Sequence, residues 1–170
     1  MRLLGKPIIA AVNGLAAGAG AVIALASDLR VVAENARFAF LFTRVGLTGA
    51  DMGAAFLLPR VVGQGRAMEL LLLVGDDVDA ATAARFGLAN RVVPAEVLLP
   101  EARALAARLA NGPTYAQGLT KLMVNNEWTM DLGAALEAEA QAQALMMMGA
   151  DHRAFFEAFR EKRPPVFKGR

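Results

Sequence analysis

From Pro7 to Ser27 the chain carries no charged side chain, and the middle of that stretch is broken by Asn13-Gly14 and by further glycines at 18 and 20. An apolar run of this length can cross a membrane, serve as a cleaved secretory leader, or form the buried centre of a domain. Arg2 and Lys6 ahead of it and Ala24-Leu25-Ala26 near its end fit a leader, whose mature product would begin near Ser27. The glycines favour the buried domain, because a sequence interrupted by Asn-Gly turns more readily than it spans. Ile8 to Val12, apolar and partly β-branched, then reads as a buried strand ending at the Asn-Gly turn. Ala19 to Ala26 reads as a buried helix entered through small residues.

Further strands are expected at Leu29 to Val32 and Arg37 to Phe40, and a short extended piece at Val92-Val93 before Pro94. Gly46 to Gly53 is a turn-rich loop, and Ala54 to Val62 a short helix carrying Pro59. Beyond this the chain turns helical, with helices expected over Gly65 to Val74, Ala80 to Phe86, Leu98 to Ala110 and Thr114 to Asn125. Leu132 to Met148, rich in Ala, Glu, Gln and Met, is a helix by propensity. Asp151 to Lys162 is a last amphipathic helix, with Asp151 as its expected N-cap and Pro164-Pro165 as its stop. Strands and helices alternate early and helices follow alone. Three short strands are too few for a covered sheet, so missing chain or a partner is expected to supply the rest.

Composition narrows the chemistry. More than half of the 170 residues are apolar and a fifth are charged, a globular balance. The net charge is +2 and the basic residues are scattered, apart from a cluster between Arg153 and Arg170, which gives nucleic-acid binding little support. There is no cysteine, which excludes disulfides, thiolate nucleophiles and cysteine metal sites and fits a reducing, cytoplasmic setting. His152 is the sole histidine and lies in a charged helical stretch with no serine nearby, so it reads as a surface residue rather than a triad member.

The informative segment is Asn13-Gly14-Leu15-Ala16-Ala17-Gly18-Ala19-Gly20. Small residues allow close approach of a ligand to the backbone. The amides that open the next helix lack intrahelical acceptors, and the helix dipole makes that end a site for negative charge. A phosphate or a thioester oxygen that becomes anionic would suit it. The phosphate reading requires G-x-G-x-x-G/A and an acidic residue about twenty positions on. The third small position falls on Ile23, and twenty residues beyond Gly18 stands Phe38, so both requirements fail.

The run "KPIIAAVNGLAAGAGAVIALASDLRVVAENAR" from Lys6 to Arg37 resembles the signature of the enoyl-CoA hydratase/isomerase (crotonase) superfamily. There a strand ending in Asn-Gly leads to a small-residue loop, a buried helix and an Asp opening the next strand, matched here by Asp28. "VGLTGADMGAAFLLPRVVGQGRAMELLL", "FGLANRVVP" and "AFFEAFREKRPPVFKGR" continue the resemblance over essentially the whole chain. It implies an α/β, crotonase-like fold: a partial ββα spiral core over residues 1–95, and a helical trimerisation region of the same domain over 96–170. It also implies a coenzyme A thioester substrate whose carbonyl oxygen is held by two backbone amides, each worth about 3 kcal/mol. One is Ala19 N–H, Ala being tolerated at this backbone donor if φ is negative. The other belongs to a strand-loop unit expected upstream of Met1. The same resemblance places Leu15, Ala17, Gly18, Val22, Phe42 and Gly46 around the substrate, with no cofactor beyond coenzyme A and no metal.

Hydratases of the superfamily use two glutamates, and those positions fall on Val22 and Phe42, neither of which can move a proton. Asp51 in "GLTGADMGA" matches the loop aspartate of isomerase-type members, such as dienoyl-CoA isomerases and the ring-opening isomerase of bacterial phenylacetate breakdown. The loop is one residue longer here than usual. Burial beside Phe42 and Met52 would raise the pKa of Asp51 and suit it to proton shuttling. Capping the helix that follows is its alternative role. Phe159 and Lys162 match positions that contact the adenine and phosphate end of coenzyme A in relatives. Their alternative roles are a core phenylalanine and a solvated lysine. Met146 to Met148 read as interface or core. The implied assembly is a homotrimer or a hexamer built from two trimers, and the alternative function is a truncated or catalytically impaired member that binds only coenzyme A or partners.

Overall fold

A computed structural model describes residues 1–73 and 77–169. It divides the chain into two compact units, residues 8–103 and residues 1–7 with 104–170. The division falls inside a helix, at 103/104.

In the first unit the chain lays down two strands and a helix, then repeats. β1 (Ile9–Val12), β2 (Leu15–Ala17) and α1 (Ala19–Ala26) are followed by β3 (Leu29–Ala33), β4 (Arg37–Ala39) and α2 (Ala54–Val62). α3 (Gln64–Leu72), β5 (Val78–Asp79), α4 (Ala80–Arg85), β6 (Arg91–Val93) and α5 (Leu98–Ala110) complete the series. Each turn of this ββα spiral adds one strand to each of two three-stranded sheets, ordered β1-β3-β6 and β2-β4-β5. β1 runs parallel to β3 with Ile9 opposite Leu29 and Val12 opposite Val32. β2 runs parallel to β4 with Leu15 opposite Arg37 and Ala17 opposite Ala39.

The sequence reading missed β2 and β5. Leu-Ala-Ala has little intrinsic preference for a strand; β2 exists because β4 offers it a ladder. β5 is two residues long and pairs antiparallel with β4. α1 is apolar all round and buries Ala21, Val22, Ala24 and Leu25. Complete burial of Val22 and Leu25 contributes about 1.5–3 kcal/mol each. Asp28 closes this layer: its carboxylate accepts from the Ile8 amide at 2.7 Å, joining the start of β1 to the start of β3. The segment considered as a leader or membrane span thus forms two strands and a helix of eight residues. No helix among the described residues is long and apolar enough to cross a membrane.

The second unit holds α6 (Thr114–Asn126), α7 (Leu132–Met147) and α8 (Ala150–Arg160). Its N-terminal segment lies on α6. The Lys121 ammonium donates to the carbonyls of Met1 and Lys6 at 3.1 and 2.9 Å, and the Asn125 amide donates to Arg2 O at 3.0 Å. A Cβ at Gly118 would stand 2.2 Å from Gly5 O, so the close approach requires glycine there. Asp131 caps α7 by accepting from Ala134 N at 2.9 Å. The N-cap of α8 is Gly149, so Asp151 does not fill the capping role expected of it from sequence. Its carboxylate instead accepts from the amides of Lys168 and Gly169 at 2.7 and 2.9 Å, a pairing seventeen and eighteen residues away that local sequence cannot show. The predicted helix end at Val74 and the final Arg170 lie outside the described residues.

Candidate active site

Gly18 turns the chain from β2 into α1 in a single residue, at φ 48° and ψ −117°. This is a region open to glycine and strained for any L-residue. Its amide continues the β2–β4 ladder by donating to Ala39 O at 2.8 Å, and its carbonyl accepts the first helical bond, from Val22 N at 3.1 Å. Among the described residues no backbone carbonyl accepts from the next amide, that of Ala19, which lies exposed at the positive end of α1. A cavity of about 290 Å³ lies beside this turn, walled by β1, the Asn13-Gly14 turn and α1. Leu15 and Gly20 line it; Gly18 and Ala19 do not.

Behind the turn, Val22 is 1% and Phe42 8% exposed. The Phe42 carbonyl accepts from Val45 N and Leu47 N at 3.2 and 3.0 Å, which folds the chain into a 3-10 turn closed by Gly46 in the left-handed conformation. The loop then reaches Asp51, which is exposed, and Met52, which is 54% exposed. The expected burial of Asp51 between Phe42 and Met52 is therefore absent: Phe42 turns inward while the loop lies on the surface. Asp51 does not cap the following helix either. α2 begins at Ala54 with Gly53 at its cap and no side-chain capping bond. The Asp51 carbonyl is engaged, accepting from Ala54 N at 2.8 Å. α1, which Ala19 opens, and α2, which starts three residues after Asp51, pack against each other.

A family model for enoyl-CoA hydratase/isomerase matches residues 1–170. The chain belongs to the enoyl-CoA hydratase/isomerase family. It is 43% identical to the 1,2-epoxyphenylacetyl-CoA isomerase of Escherichia coli K12 over 98% of its own length and 63% of that protein's. It is 44% identical to a probable enoyl-CoA hydratase of Rhodobacter capsulatus, covering 96% of this chain and 63% of the relative. A crystal structure of a provisionally named enoyl-CoA hydratase from Streptomyces coelicolor A3(2) superposes with a TM-score of 0.97 at 54% identity, covering 99% of this chain and 61% of the other. The crotonase-like α/β fold expected from the motifs is the one found. The chain spans less than two thirds of the length of these relatives.

Two further candidates from the family pattern lie in the second unit. Phe159 is 71% exposed and stacks on Phe155 with ring centroids 6.2 Å apart, so it is not the core residue of the alternative reading. Lys162 is exposed and stands in the left-handed conformation at φ 54°. Lys162 N donates to Phe159 O and Arg163 N to Ala158 O, the paired bonds of a Schellman motif with lysine where glycine is usual. Met52 and Lys162 are the two non-glycine residues with positive φ among those described, and each is or adjoins a candidate site residue. Ala17 and Gly18 are half-buried and Gly46 is exposed. His152 is exposed, and no group of three His, Asp or Glu side chains among the described residues is placed to hold a metal. What the motif reading missed is a cavity in the helical unit, because its walls come from three helices and the C-terminal tail.

Proposed function

We propose that the protein acts on acyl-CoA thioesters as an isomerase-type member of its family. The observation that carries this reading is the Ala19 amide, left without a backbone acceptor at the head of α1. When a base removes the proton α to a thioester, the carbonyl oxygen gains negative charge, and an amide aimed at it lowers the barrier by about 3 kcal/mol. Asp51 takes the α-proton and returns it at another carbon, so the double bond or ring moves and no water is added. Two observations support isomerisation over hydration: the hydratase glutamate positions are the buried apolar Val22 and Phe42, and one relative bears the name of an isomerase. Leu15, Ala17, Gly18 and Gly46 line the acyl path. Phe159 and Lys162 meet the adenine and phosphates of coenzyme A, which is part of the substrate; no separate cofactor takes part.

The active form is a cytoplasmic homotrimer or a hexamer of two trimers. α7 supports association, since it buries none of its residues and leaves Leu132, Leu136, Leu145 and Met147 exposed. The second reading is a module that binds coenzyme A or a partner without turnover. It is favoured by the exposure of Asp51, the one acid that the family pattern offers at the site.

Assays with 2-enoyl-, 3-enoyl- and epoxyacyl-CoA thioesters test both readings. Isomerisation that falls by about 10²- to 10⁴-fold in kcat in Asp51→Asn, with KM little changed, is the expected result. Hydration of 2-enoyl-CoA that ignores Asp51→Asn refutes the proton role. Calorimetric binding of coenzyme A with no turnover of any thioester establishes the module.

A further inference from the structure

α8 ends in a sharp corner, and the chain beyond it is fastened at both ends. At the corner the amides of Lys162 and Arg163 bond back to Phe159 O and Ala158 O, with Lys162 at φ 54°. Pro164-Pro165 then denies the chain another helix, and residues 164–169 form no turn. They return along α8 to Asp151 in its first turn, whose Oδ1 and Oδ2 accept from Lys168 N and Gly169 N at 2.7 and 2.9 Å. Gly169 completes the anchor: its φ is 71°, and a Cβ there would collide with Thr114 Oγ1 at the start of α6.

This strap is extended and has little slack. Pro165, Phe167 and Gly169 are half-buried while Val166 and Lys168 are exposed, the period of two that an extended chain shows. From Asp151 to Glu161 the helix rises about 15 Å. The steps from Arg163 to Lys168 reach about 17–18 Å at full extension. A strap so nearly taut transmits its anchor to its other end. With the end released, the chain can swing about the corner, and a left-handed lysine, costly in itself, can relax. Arg163 beside the corner pairs with Glu161, so Lys162 is the cation that the corner presents.

We propose that Asp151 is a positioning residue for coenzyme A: by anchoring the strap it fixes the corner from which Lys162 meets the phosphates. The proposal rests on the Lys162 phosphate contact given under the proposed function. Its sign sets it apart from plain electrostatics. Asp151 is an acid, so by charge alone its removal tightens the binding of a polyanion. Through the strap, its removal weakens that binding.

The test is calorimetric binding of coenzyme A to the full chain and its variants. Lys162→Ala should weaken binding about tenfold, as loss of a charged contact does. Asp151→Ala should weaken it about three- to tenfold, the cost of ordering a freed side chain on binding, and should speed hydrogen exchange at the Lys168 and Gly169 amides. Gly169→Ala, which leaves the acid in place, should do the same. The combined Asp151→Ala/Lys162→Ala variant should bind no more weakly than Lys162→Ala, because the strap acts only through that lysine. A general loss of structure would instead add to the loss from the lysine. Parental affinity in Lys162→Ala would remove the phosphate contact, and the proposal with it. Weakened binding in Lys162→Ala beside parental or tighter binding in either Asp151→Ala or Gly169→Ala, or losses that add in the combined variant, would overturn the role of the strap and leave the phosphate contact standing.

Discussion

The Gly18 amide donates to the Ala39 carbonyl at 2.8 Å, and this bond ends the β2–β4 ladder one residue before α1 begins. Ladder and helix meet at Gly18 because its φ of 48° and ψ of −117° reverse the backbone within one residue. The cost of replacing it is conformational, since nothing lies within 4 Å of a Cβ built there. Gly18→Ala should therefore destabilise by about 1–3 kcal/mol in urea titration. Gly20 also has open space around it but lies inside α1, so Gly20→Ala should stabilise by about 0.5–1 kcal/mol. Equal effects of the two substitutions would refute the assignment of strain to Gly18.

Arg30 is 5% exposed and fastens three pieces of the first unit. Its guanidinium donates to Leu88 O at 2.5 Å, Ser27 O at 2.6 Å and Leu25 O at 3.4 Å. Arg30→Met keeps much of the volume but strands buried carbonyls, so a loss of about 3 kcal/mol is expected from chemical denaturation. Arg30→Lys should recover only part of it, because an ammonium cannot reproduce the planar fork. A loss under about 1 kcal/mol in Arg30→Met would mean that water replaces the guanidinium without cost.

These two residues also mark what the sequence could reveal. Gly18 stood out because small residues cluster between an apolar strand and an Ala-rich helix, and α1 runs over the expected Ala19–Ala26. α2 likewise matches Ala54–Val62, since glycines bound it on both sides. Arg30 gave no signal: one arginine in an apolar strand does not disclose that its acceptors lie three, five and fifty-eight residues away. β2 was hidden for the same reason, its ladder being supplied by residues 37–39. For the candidate site, the motif predicted a glycine-led turn into α1, and the structure has one. The surroundings of Asp51 were not legible, because burial of a loop side chain depends on what packs over it from other parts of the fold.

Asp79 is a local feature with a pH signature. It caps α4 by accepting from Thr82 N at 2.7 Å. Hydrogen bonding from the Thr82 side chain, then from the Thr82 amide, holds its pKa below the usual 3.8. With the folded-state value below the unfolded one, the stabilisation is complete above the unfolded pKa and fades as pH falls through the folded one. Asp79→Ala should be less stable than the parent near neutral pH, and the gap should narrow once pH drops below 3.8. A gap that stays constant down through acid unfolding would separate the cap from the titration.

Lys162 and Met52 hold left-handed backbones at φ 54° and 49°, a conformation that costs an L-residue about 1 kcal/mol relative to glycine. Selection for stability alone would favour glycine at both, as at Gly53 and Gly63, which share the positive φ. Lys162→Gly should raise the thermal midpoint while removing the ammonium proposed to meet coenzyme A phosphates. The expected pair of results is a stability gain of about 1 kcal/mol and a weaker affinity for coenzyme A that converges on the parent's at high salt. Met52→Gly should give the same gain in stability with no change in coenzyme A affinity, because Met52 brings no charge. If Lys162→Gly stabilises the protein and binds coenzyme A as well as the parent does, the lysine is there for the Schellman turn and the phosphate contact is refuted.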